Sequence, residues 1–231
     1  INMSENSNIK GLYERIRKEL FYMIPEKWES IYLYASVVQR GNNRETGEMF
    51  FYYFPKSLLK KNPINVYQVP QKFNIDENEY LKLANRLFEI IKKLRKSCIK
   101  YENFDWSNVT IIVKDTSFIV EYNNDHLRSS KFTSDDRMAI WQYKYLEYPM
   151  EKFNKEQRTL IAEYLAEEQQ GLHQIKEYSE SFYQQHLHNS IQYDINKEEY
   201  INIDEIRKET PKEEQPEKEI VIRNQLLKYS K

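Results

Sequence analysis

The run from Trp28 to Val38 alternates, and both of its faces carry large apolar or aromatic side chains. Ile31, Leu33, Ala35 and Val37 fall on one side, Trp28, Tyr32 and Tyr34 on the other. Side chains of a strand point alternately to opposite faces, so the spacing predicts a strand with an aliphatic core face and an aromatic second face. A chain built around it needs a helical layer on the aliphatic side, and on the ring-bearing side either a cover or a use.

The neighbouring segments fit a sheet. Residues 41–47, with glycine at both ends, read as a hairpin loop. The return strand, residues 49–54, is aromatic on both faces and stops at Pro55. A short third strand is expected near residues 66–69. Residues 109–113 and 118–122 flank a polar turn and form a second hairpin. Three stretches have a helical period. Ile9, Leu12, Tyr13, Ile16, Leu20 and Ile24 make one stripe, with Asn6 or Ser7 as cap and Pro25 as terminator. Tyr80, Leu83, Leu87, Ile91 and Leu94 make a second over residues 76–98, capped by Asp76 with Glu79 at the capping-box spacing. Ser134, Asp135 and Asp136 open a third, carrying Ile140, Trp141, Tyr145 and Leu146. The expected fold class is α+β: an antiparallel sheet of about five strands, in the order α-βββ-α-ββ-α, packed by helices on one face.

After Pro149 the pattern changes. Asn154, with Gln157 three residues on, opens a long helix expected to run over 155–189, with Leu165, Leu172, Ile175 and Phe182 at heptad-like steps. Beyond about residue 194 the chain is charged and poor in core residues, and residues 210–218 read as a linker. The expected division is a domain over 1–152 and a helical extension with a charged tail over 153–231. The extension is a candidate homodimer arm.

Composition excludes several functions. Four glycines leave little room for phosphate-cradling loops, and one cysteine, Cys98, cannot form an internal disulfide. No apolar run is long enough to span a bilayer, and none follows Arg15, Arg17 and Lys18 to make a signal peptide, so a cytoplasmic location is expected. No nucleophile elbow, Walker loop or zinc spacing occurs. His186 and His188 diverge on a helix, and His173 lies four turns from His188, so no metal or cofactor is expected and no catalytic residue set stands out. The basic run Lys92, Lys93, Arg95, Lys96 and Lys100, with Trp106 nearby, offers an alternative: a nucleic-acid-binding regulator using residues 92–106. Cations there are also what a helix C-terminus favours, so nucleic acid is the less expected partner.

Four ordered pieces carry a resemblance to a known family. Met23-Ile24-Pro25 followed by Trp28-Glu29 resembles the helix-to-strand opening of the YezG-like antitoxins. Glu48 through Pro55 is similar to the family's aromatic second strand. Val69-Pro70, then Phe73-Asn74-Ile75, resembles the lead into its second helix. Trp106 to Ile111, then Ile140 to Tyr145, resembles its fourth strand and closing helix. The resemblance covers about residues 9–150. It implies an immunity protein that binds and occludes a cognate bacterial toxin of the LXG type, exported by a type VII pathway and possibly a nuclease. Candidate partner-binding residues are Tyr32, Tyr34, Phe50 and Tyr52 on the aromatic face, with Trp106, Trp141 and Tyr143 from the family-like pieces.

Overall fold

The computed structural model describes residues 3–41, 44–59, 62–125, 127, 130–173 and 175–182. Among these residues the chain is α+β, with a six-stranded antiparallel sheet in the order β3-β2-β1-β4-β5-β6. Strand β1 (Trp28–Arg40) is central, paired along almost its whole length with β2 (Arg44–Pro55) and on the other side with β4 (Asn108–Lys114). Strand β5 (Ser117–Asn123) returns from β4 across a turn in which Asp115 takes a left-handed conformation, φ 55°. Asp tolerates that region better than most residues because its short side chain bonds the local backbone.

The aliphatic stripe of β1 is fully buried, as its spacing predicts. Ile31, Leu33, Ala35 and Val37 meet Phe51 and Tyr53 of β2, Val109, Ile111 and Val113 of β4, and Phe118, Val120 and Tyr122 of β5. Helices α1 (Met3–Tyr22) and α3 (Glu77–Glu102) close this core. Asp76 caps α3 by accepting the Glu79 backbone N–H at 2.9 Å. Asn103 ends the helix in the left-handed conformation, φ 49°. Two buried tyrosines tie the layers together: Tyr80 donates to the Met23 carbonyl at 2.8 Å, and the hydroxyls of Tyr13 and Tyr122 meet at 2.7 Å.

Five details differ from the sequence expectation. Helix α1 begins at Met3, so Asn6 and Ser7 lie inside it. The expected loop over 41–47 is mostly strand, because β1 and β2 stay paired out to Arg40 and Arg44. Gly47 sits within β2 opposite Val37, where a Cβ would lie 1.8 Å from the Ser36 carbonyl oxygen. The third strand, β3, is only Ile64–Asn65; residues 66–68 form a 3-10 turn and Val69–Phe73 a short helix, α2. Asn65 caps that turn by accepting the Tyr67 N–H, and Pro70 near the start of α2 favours helical backbone over a strand.

The fourth difference is in the C-terminal arm. Helix α5 starts where expected, with the Asn154–Gln157 capping box in place, but it ends at Gln169. Gly171 turns the chain with φ +72°, and residues 175–181 form β6, paired with β5. Heptad spacing across residues 165–182 is therefore shared between a helix and a strand, and no continuous helix exists to carry the expected dimer seam. Tyr178 stacks on Tyr13 at 4.3 Å, Glu180 pairs with Arg17 at 2.8 Å and Phe182 enters the main core. Strand β6 thus belongs to the same sheet as the strands before it, while α5 packs on α4. The linker and terminal segment lie outside the described residues. Finally, helices cover both faces of the sheet. Helix α4 (Ser134–Tyr145) packs on the side opposite α1 and α3. Among the described residues no helix is long and apolar enough to cross a membrane.

Candidate partner-binding site

The second face of the sheet changes character from one edge to the other. On β2 and β1 it carries Phe50, Tyr52, Phe54, Tyr32 and Tyr34; on β4 and β5 it carries Asn108, Thr110, Glu121 and Asn123. The register aligns Phe50, Tyr34, Thr110 and Glu121 in one row across four strands. Helix α4 lies over the aromatic half. Its start is fixed by a reciprocal capping box between Thr133 and Asp136, and Trp141 on its inner side reaches the sheet. Trp141 has ring centroids of Tyr34, Phe50 and Tyr52 at 6.4, 6.2 and 5.9 Å, and its indole N–H donates to Thr110 Oγ1 at 3.1 Å. Tyr34 and Phe50 stack at 4.9 Å.

This packing redistributes the residues that the sequence marks for partner contact. Tyr34, Tyr52 and Trp141 are 5, 7 and 3% exposed and form a second core. Trp106 is fully buried in the first core, on the other side of the sheet, against Tyr122. None of these four rings presents a contact surface in this conformation. The reason is energetic: an aromatic sheet face left wet forfeits about 25 cal/mol for each Å² of apolar surface, and α4 supplies a tryptophan of matching size. Tyr32 and Phe50 remain half-buried at the margin of that layer, and Tyr143 half-buried on the far side of α4 against Phe153.

Beside the aromatic layer, the polar half of the face is the floor of a cleft of about 640 Å³. Its walls come from α4 (Arg137, Trp141, Lys144, Tyr145), α5 (Tyr164, Glu167), the segment after β5 (Asp125, Phe132) and His173. Two buried polar atoms lining it have no hydrogen-bond partner among the described residues: Asn123 Oδ1 and Arg137 Nε. Burial pushes the Tyr34 hydroxyl pKa well up.

Charges on the walls are mostly answered. Lys131 bonds Glu167 at 2.6 Å and Glu163 at 3.3 Å, Lys144 pairs with Glu168, and Arg137 pairs with Glu48 at 3.5 Å. Lys131 first, then His173, holds the Glu167 carboxyl below its usual pKa. His173 stacks on Tyr164 at 4.2 Å with its ring nitrogens 3.1 Å from Asp125 and from Glu167. It therefore pins the turn before β6 to α5 and to the end of β5. Glu121 accepts a hydrogen bond from Tyr145 but has no ion pair among the described residues. The cleft offers ring faces, hydrogen-bonding groups and an unpaired carboxylate to a guest.

Sequence reasoning sets His173 aside and passes over Thr110, Glu121 and Asn123. A signal for the last three exists, since they interrupt otherwise apolar strands at every second position. The basic run on α3 is largely consumed at home. Arg95 is buried, donating to the Trp106 carbonyl at 2.8 Å and pairing with Asp105 at 2.7 Å. Lys92 pairs with Glu89, and Lys96 with Glu45 at 3.2 Å, while Lys93 and Lys100 are exposed. Cys98 is a core residue whose thiol pKa is raised by burial. Among the described residues no group of three or more His, Cys, Asp or Glu could hold a metal ion.

Comparison with known proteins places this geometry in context. A family model described as "Immunity protein YezG-like" matches residues 9–160. The chain is 31% identical over 137 residues to "Immunity protein YezG" of Bacillus spizizenii, covering 58% of this chain and 80% of that protein. It is 28% identical over 139 residues to "Immunity protein YezG" of Bacillus subtilis, covering 60% and 87% respectively. With "Type VII secretion system protein EsaG" of Staphylococcus aureus it shares 23% identity over 145 residues, 62% of this chain and 83% of that protein.

Proposed function

The chain belongs to the YezG-like immunity protein family, and from that membership we propose that it binds a cognate bacterial toxin and neutralises it by covering the toxin's working surface. The observation that carries the reading is the family match, which runs from α1 through β5 and α4 into α5 and so spans both cores and most of the cleft wall. The relative named for type VII secretion supports a toxin exported by that route, in keeping with the LXG class. Neutralising the toxin before export places the encounter in the cytoplasm.

The contact surface we assign comprises the half-exposed rings Tyr32, Phe50 and Tyr143, together with the mouth of the cleft. Rigid aromatic groups at a partly open margin lose little entropy on docking and make effective anchors. Co-expression with the toxin encoded beside it, followed by size-exclusion chromatography, tests the function. Co-elution at micromolar concentration is expected; separate elution refutes stoichiometric neutralisation. In calorimetry Tyr32→Ala is expected to weaken the complex by about 2 kcal/mol without unfolding the chain. Unchanged affinity removes that margin from the interface.

A further inference from the structure

We propose that the cleft over the polar half of the sheet is a receptor for an arginine side chain, supplied by the partner. The claim rests on the immunity reading for where the arginine comes from, and on the cleft itself for its chemistry. Each cation in the walls is already held by a carboxylate outside the floor: Lys131 by Glu163 and Glu167, Lys144 by Glu168, Arg137 by Glu48. Glu121, by contrast, stands on the floor with no cation opposite it among the described residues. Beside it, Asn123 Oδ1 belongs to a side chain more than nine-tenths buried and lacks a hydrogen-bond partner among the described residues. Leaving a buried acceptor unpaired costs free energy, so the site gains when a donor arrives.

The guest must bring donors that diverge, since the acceptors are spread over the floor, with Glu121 and Asn123 two residues apart on β5 and Thr110 beside Glu121 on β4. A guanidinium carries five N–H donors in a flat fork, whereas an ammonium concentrates three at one point. Flat aromatic walls suit the same guest. Lys144 Nζ already lies 5.4 Å from the Tyr145 ring centroid and 5.3 Å from that of Tyr164, so these rings attract cations. The terminal nitrogens of Arg137 are drawn to the Phe132 carbonyl and to Glu48, while its Nε–H is buried in the wall.

The experiment is a titration of the ¹⁵N-labelled full chain with N-acetyl-arginine amide, and in parallel with the lysine and glutamate analogues, followed by NMR. Saturating shifts of the Trp141 indole and Asn123 amide resonances are expected with arginine, with a dissociation constant on the order of millimolar for a ligand of this size. The Trp106 indole, in the other core, is expected to stay in place and reports an intact fold. Lysine is expected to bind at least about tenfold more weakly, because it cannot reach the separated acceptors together. Glu121→Gln, which keeps the contact to Tyr145, is expected to weaken arginine binding by about tenfold through loss of a charge-assisted bond. Absence of saturable shifts, equal response to glutamate or lysine, or an unaffected Glu121→Gln variant overturns the proposal. Toxin binding, measured separately, distinguishes the two readings. A chain that binds toxin yet ignores arginine loses only the arginine receptor. A chain that binds arginine but not its toxin retains the receptor and loses the immunity role.

Discussion

Gly47 lies in β2 opposite Val37, with the Phe88 ring of α3 against it. A methyl group there would meet the Ser36 carbonyl oxygen at 1.8 Å and the Phe88 ring at 2.8 Å, and the first of these is backbone that cannot swing aside. Gly47→Ala is therefore expected to destabilise the chain by about 3 kcal/mol, toward the upper end of overpacking costs, seen as a lower urea midpoint. A midpoint equal to that of the parent would show that the hairpin yields at this point. The Tyr13–Tyr122 hydroxyl pair allows a complementary measurement, because it is buried between α1 and β5. Tyr122→Phe strands the Tyr13 hydroxyl and is expected to cost about 1–2 kcal/mol, whereas adding Tyr13→Phe removes the stranded group and restores part of the loss. Strictly additive effects would mean that the two hydroxyls do not depend on each other. Single residues were legible in the sequence where alternation has one meaning, as at Ile31, Leu33 and Val37. They were not legible for Tyr34 and Tyr52, since a ring on a second face looks the same whether a partner or the chain's own Trp141 covers it.

At the level of elements, local chemistry marked starts better than ends. Asp76 and Asn154 cap the helices they were expected to cap, because a side chain accepting an N–H two or three residues on is a local event. The end of α5 was hidden because the hydrophobic spacing continues across Gly171 while the chain changes from helix to strand. Of the side chains that α4 and its C-cap give the second core, which include Tyr145 and Leu146, Trp141 is the largest. Trp141→Ala is expected to destabilise the fold by about 3–5 kcal/mol and to expose Tyr34 and Phe50, raising binding of an apolar dye. A fully stable variant without added dye binding would show that the second face does not depend on this tryptophan. Strand β6 pairs along one edge with β5, is braced by the Tyr178–Tyr13 stack and the Arg17–Glu180 pair, and has no strand on its other edge among the described residues. Its amides are expected to exchange with deuterium faster than those of β1 and β4, and protection in β6 equal to that of β1 would contradict this order.

For the whole molecule, nine tyrosines share one electrostatic condition. Burial, the leading cause in each, raises the pKa of Tyr13, Tyr34, Tyr53, Tyr67, Tyr80, Tyr122, Tyr145 and Tyr164, and pushes Tyr178 up to about 12. An unfolded tyrosine releases its proton near pH 10, while the folded chain keeps it, so above that pH the native state binds more protons than the unfolded one. The contribution is complete below about pH 10 and is lost as pH rises toward the folded values. Urea midpoints are expected to hold steady below about pH 9 and fall beyond about pH 10, with most tyrosinate absorbance appearing only on unfolding. Smooth ionisation of all the rings while the fold persists would contradict this burial.

The central position of β1 also bears on how the chain is assembled. Its pairing with β2 joins neighbours in sequence, but its other edge stays open until Asn108–Lys114 has been made, after all of α3. A nascent chain thus carries a long hairpin with apolar residues on both sides, and the outer row of amides on β1 stays unpaired through the synthesis of α2 and α3. During that interval another copy's strand competes for the row that β4 later fills, so crowded, rapid synthesis is when this protein is most exposed to self-association.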